Sequence, residues 1–173
     1  MLVRVAFIAV MTLASTPTFA HVTLEQREAA VGGFYKAVLR VPHGCGTSAT
    51  VRLSVQIPEG VISVKPMAKP GWQIEVKRGA YAKPYSFLHG AKFTEGVTSV
   101  TWTGKLLDAY YDEFVLSTFI AAELPSGGML YFPVVQDCEQ GVHRWIEVPT
   151  GKPGETLGDP APGIKLVPQA KGH

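Results

Sequence analysis

The chain has 173 residues, a formal net charge of +2, 46% apolar residues and 17% charged ones. So small a charge excludes the basic surface that a nucleic-acid partner demands, while the length suits one packed domain. With only Cys45 and Cys138 present, a cysteine-dense scaffold is excluded as well.

Residues 1–20 carry Arg4, an apolar run from Val5 to Ala14, and the small residues Thr18 and Ala20. That order predicts a secretory signal peptide cleaved between Ala20 and His21. Its apolar core is too short to span a membrane, and no later run approaches the ~18 residues that a span needs. The expected location is therefore periplasmic or secreted. Cleavage makes His21 the first residue of the mature chain. Its α-amine and ring Nδ1 can then close a chelate on one metal ion, and planar nitrogen donors with an oxygen alongside suit Cu(II).

Gly33 to Val41 alternates through Tyr35, Ala37, Leu39 and Val41 and stops at Pro42-His43-Gly44. Thr50 to Ile57 sets Val51, Leu53, Val55 and Ile57 against Arg52, Ser54 and Gln56, the period of a half-buried strand. Further strands are predicted over 61–65, 72–77 and 97–103, with Trp72 and Trp102 in the core. Residues 79–95 read as loop with one poor strand. Glu113 to Ala122 reads as a buried strand because of its β-branched and aromatic residues. Strands over 129–136 and 142–148 follow, the last with Ile146 and Val148 inward and Trp145 and Glu147 outward. Short strands between Gly/Pro turns predict an antiparallel Ig-like β-sandwich of eight to nine strands over residues 21–149. Beyond it, residues 150–173, with Pro153, Pro160, Pro162 and Pro168, read as a Pro/Gly-rich C-terminal arm.

Export to an oxidising compartment favours a Cys45–Cys138 disulfide over thiolate metal ligation, and no C-x-x-C spacing supports the latter. No G-x-S-x-G, H-E-x-x-H or phosphate-binding glycine loop is present, so no enzyme motif is found. What remains is His21 and whatever reaches it. Strand alternation puts Thr23 and Glu25 on the face of His21, while Glu28 follows where the chain turns before Gly32-Gly33. His43, His89, His143 and His173 lack a partner at ligand spacing and read as surface histidines.

Several separated motifs, in order, resemble the YcnI-like copper-binding proteins. They are H-V-T-L-E, E-A, G-x-Y-K-A-V-L-R-V-P-H-G-C, V-Q-I-P-E-G-V, P-G-W, Y-D-E-F, F-P-V-V-Q-x-C and W-I-E-V-P. The resemblance covers roughly residues 21–149. It implies a β-sandwich holding Cu(II) by a single-histidine brace, with the amine and imidazole of His21, a carboxylate, and a nearby tryptophan. On this chain the carboxylate falls on Glu28, with Glu25 as the alternative, and the tryptophan on Trp145. Unlike some relatives the sequence shows no C-terminal anchor, which implies a free periplasmic protein. The contexts of Cys45 and Cys138 match cysteine-bearing members of the family.

The expected function is thus capture, buffering or delivery of Cu(II), with the copper ion and a copper-transport or copper-chaperone protein as partners. Two rivals are a histidine-brace copper oxidase, which needs a second histidine, and a metal-free Ig-like protein-interaction module.

Overall fold

The strictest alternation in the sequence becomes the centre of the first sheet. Strand β3 (Gly33–Val41) buries Tyr35, Ala37, Leu39 and Val41 and pairs along its whole length with β8 (Asp112–Ile120). Strands β1 (Thr23–Leu24) and β5 (Val61–Pro66) complete this four-stranded sheet in the order β1-β3-β8-β5. The computed structural model describes residues 21–169; the expected signal peptide, residues 1–20, lies outside them.

The facing sheet has five strands, ordered β11-β10-β4-β7-β6. They are β4 (Thr50–Gln56), β6 (Gln73–Ser86), β7 (Lys92–Leu106), β10 (Val134–Cys138) and β11 (Val142–Trp145). Leu53, Val55, Val100, Trp102 and Val134 point inward from it and meet Leu39, Phe114 and Leu116 of the first sheet in one core. The chain is therefore an all-β Ig-like sandwich. Trp102 is fully buried, whereas Trp72 is half-buried and packs edge-on against Phe114, ring centroids 4.8 Å apart.

Three expectations need correction. Residues 79–95 are not mainly loop: β6 and β7 form one long hairpin, turned by a short 3-10 segment at Leu88–Gly90. The outer half of β6 is a largely exposed edge carrying Pro84, so it has no apolar alternation to read. Next, twelve strands are described rather than eight or nine, because β1, β2 (Glu28–Ala30) and β9 (Met129–Tyr131) are too short to show a period.

Finally, the segment 150–173 is not simply an irregular arm. Its Gly163–Val167 stretch forms β12, between β2, to which it runs parallel, and β9. Ile164 and Leu166 enter the core at 0% and 3% exposure, so the sandwich closes only with residues beyond Pro149. The prolines before Gly163 occupy an irregular stretch and mask the five-residue alternation that follows.

Candidate metal centre

Strand β1 places His21. Val22 and Leu24 are buried, so His21, Thr23 and Glu25 share the other face, as alternation predicts. Because β1 runs antiparallel to β3, with Thr23 opposite Arg40, the His21 end of β1 lies toward the Val41 end of β3. The same end carries the loop of His43 and Cys45.

Trp145 is buried, which reverses the expected orientation of the last strand. It is 2% exposed, whereas Ile146 and Val148 are 43% and 46% exposed. Trp145 is the Cα partner of Val134, an inward residue of β10, and the strand ends there, so Ile146 falls on the outer, more polar face of the sheet. The buried indole N–H donates to Oε1 of Gln136 at 3.0 Å. Gln136 in turn donates from Nε2 to the His43 carbonyl and to Thr50 Oγ1, both at 2.8 Å. A buried amide with both N–H groups and its oxygen used is a rigid fixture.

The rings of His21 and Trp145 meet in a T, centroids 5.3 Å apart and planes at 83°. His21 Nε2 is 3.3 Å from the carbonyl oxygen of Gly158. A carbonyl can only accept, so Nε2 carries the proton and the neutral ring has its lone pair on Nδ1. Gly158 is held there by its neighbours. Glu147 N–H donates to the Asp159 carbonyl at 3.1 Å, the Glu147 carboxylate accepts from Asp159 N–H at 3.1 Å, and Ala161 N–H donates to the Glu147 carbonyl at 2.8 Å.

His143 stacks on Trp145, centroids 4.7 Å apart and planes at 22°, and its Nδ1 is 3.7 Å from the Asp159 carboxylate. Sequence reasoning read His143 as a surface residue. Its position two residues before Trp145, hence on the same side of the strand, was the available signal. Asp159 and Gly158 had none, since they reach the site through an irregular segment. The carbonyl of Gly44 likewise accepts from His43 Nδ1, while His89 sits apart at the tip of the β6–β7 hairpin.

The carboxylates are placed as follows. Glu28 opens β2 with an exposed side chain and is the Cα partner of Lys165. Glu25 is exposed, and its charge adds to burial in pushing the Tyr35 phenol up. A cavity of about 310 Å³ beside His21 is lined by Thr23, Arg27, Met129 and Pro160 among others, and by neither glutamate. His21 and Trp145 are thus brought together, while Glu28 and Glu25 are both exposed and outside the lining of that cavity. Among the described residues no three or more His, Cys, Asp and Glu side chains converge as a metal-holding group. A one-histidine chelate with a single carboxylate calls on fewer.

Cys45 and Cys138 are joined in a disulfide, which clips the loop after β3 to the end of β10. Among the described residues no free cysteine is left for thiolate ligation. No helix among them is long and apolar enough to cross a membrane.

The model of a family described as a domain of unknown function (DUF1775) matches residues 21–166, which takes in β12. A solved structure from Nocardia farcinica, of an uncharacterized protein reported to have an immunoglobulin-like fold, is similar at 28% identity and a TM-score of 0.61. The alignment covers 85% of this chain and 98% of that one. Among curated proteins, none matches.

Proposed function

The chain belongs to the YcnI-like family, whose domain is of unknown function (DUF1775), and from that premise we propose that it is an exported Cu(II)-binding protein of copper homeostasis. It captures, buffers or hands on Cu(II) through the processed N-terminus. The observation that carries this reading is the hydrogen bond from His21 Nε2 to Gly158. A ligating imidazole characteristically donates its other N–H to a carbonyl or carboxylate, which fixes tautomer and ring orientation. Here that bond puts the lone pair on Nδ1, the ring atom able to close a six-membered chelate with the α-amine of the same residue.

The donor set fits Cu(II): two nitrogens from His21, then a carboxylate and water oxygens, with the tryptophan ring of Trp145 as a wall. The resemblance assigns the carboxylate to Glu28, and alternation offers Glu25. Asp159, which follows the carbonyl that orients His21, is a third arm for mutagenesis. The role proposed is binding and transfer, with a copper-transport or copper-chaperone protein as recipient. Location in the periplasm or outside the cell follows from the expected cleavage and agrees with the disulfide.

The test is a Cu(II) titration of protein that begins at His21, beside His21→Ala, Glu28→Ala, Glu25→Ala and Asp159→Ala. One tight site is expected, lost in His21→Ala and weakened in one carboxylate variant. Absence of any site in the unmodified protein would favour the metal-free interaction module. Turnover of a polysaccharide with oxygen or peroxide would favour the oxidase.

A further inference from the structure

The glutamine of the F-P-V-V-Q-x-C motif has no part in the brace, yet it is one of few buried polar side chains, at 1% exposure. We propose that Gln136 is the positioning residue of the metal centre: it holds the indole of Trp145 against His21 and ties that wall to the disulfide-clipped loop at His43. The role rests on the copper-binding reading above and deepens it.

The geometry is a continuous path. Gln136 Oε1 accepts from Trp145 Nε1, and its Nε2 donates to the His43 carbonyl and to Thr50 Oγ1. Thr50 Oγ1 lies 3.9 Å from Cys138 Sγ, and Cys138 is bonded to Cys45, two residues after His43. Gln136 and Cys138 both point inward from β10, one step of the pleat apart, and both grip the same loop. The same placement of the indole makes both the T-shaped contact with His21 and the hydrogen bond to Gln136. Without that acceptor, the indole must either bury an unpaired donor or turn toward water. Either change shifts the wall of the site without touching a ligand.

The structure supplies an internal control. Among the described residues Trp102 Nε1 is buried with no hydrogen-bond partner, so its indole N–H serves as the unbonded reference within the same fold.

The experiment uses the whole mature protein and Gln136→Met, which keeps volume while removing the amide. It is made alone and with Trp145→Phe, whose ring needs no acceptor. Indole N–H resonances are recorded without metal, Cu(II) affinity is measured by competition, and folding is checked by circular dichroism. Gln136→Met should move the Trp145 indole resonance toward that of Trp102. It should weaken Cu(II) binding about 10- to 100-fold, the usual range for groups that orient metal ligands. In the Trp145→Phe background the same change should alter affinity less than about twofold, because the coupled partner is already gone. An equal loss in both backgrounds, or a moved resonance with unchanged affinity, overturns the positioning role. Should Gln136→Met fail to fold, Gln136→Glu keeps an acceptor for the indole and must then retain the native Trp145 resonance; its loss overturns the proposal. Unmodified protein that binds no Cu(II) overturns the underlying reading, an outcome distinct from these because they leave wild-type binding intact.

Discussion

His21 and Trp145 stand near opposite ends of the described chain, yet their rings meet at 5.3 Å between centroids. The contact exists because β1 leads from His21 along β3 while β11 ends on an inward tryptophan. Cu(II) held by His21, as proposed, would quench an excited indole at this distance. Addition of Cu(II) should therefore reduce the emission of the native protein, and far less that of Trp145→Phe, with Trp72 and Trp102 as the remaining emitters. Equal fractional quenching in both proteins would place the metal elsewhere.

Trp145 is also part of the core, and its truncation has a cost apart from any metal. Trp145→Ala should destabilise the metal-free protein by about 3–5 kcal/mol, the range for removing a large buried aromatic ring. Denaturant unfolding measures it, and a loss below ~1 kcal/mol would contradict the burial described here.

The segment after Pro149 completes the sandwich. Ile164 and Leu166 are buried in β12, between β2 and β9. Ile164→Ala should cost about 2–5 kcal/mol, and protein ending at Pro149 should fail to give a cooperative unfolding transition. A truncated protein as stable as the full chain would show that β12 is dispensable.

Strands with clean period-two alternation were legible from residues alone, and β3 and β8 have nearly the bounds expected. The hairpin tip and β12 were not, because one is an exposed edge interrupted by Pro84 and the other follows a proline-rich stretch. At the candidate site, His21 was singled out by the expected cleavage pattern, and Trp145 by its place in the last strand and by the motif resemblance. Alternation counted back from Ile146 and Val148 pointed Trp145 outward, since a strand's inward parity cannot be judged where its end leaves the sheet. Gln136 was visible within a motif, but its role depends on three partners distant in sequence or on another strand.

The disulfide closes a separation of 93 residues. In the chain-entropy model such a bridge contributes ~4–5 kcal/mol by constraining the unfolded chain. The Cys45→Ala/Cys138→Ala protein should lose a large part of that in denaturant unfolding. Native protein unfolded without reductant should show no reactive thiol; two thiols per chain would contradict the bridge.

Alkaline pH acts on a second, smaller cluster, in which the buried Tyr85 and Phe119 pack with Tyr81, Phe87 and Phe93. Burial, followed by the neighbouring Glu59, pushes the Tyr85 phenol up to about 12 from its ordinary 10.0. The unfolded chain ionises this phenol first, so its contribution to stability is complete below pH ~10 and is lost as pH rises toward 12. Tyr85→Phe should flatten the decline of stability over that window. An unchanged slope would contradict it.

The proposed brace draws both of its nitrogens from one processed residue. Acetylating the N-terminus removes the amine donor and leaves the His21 imidazole, the carboxylates and Trp145 in place. The decisive comparison is of Cu(II) affinity and the electron paramagnetic resonance spectrum between free and acetylated protein, each beginning at His21. The prediction is a large loss of affinity and a change of spectrum on acetylation, with proton release on binding confined to the free form at the amine. Equal affinity and an identical spectrum in the two forms would contradict the brace.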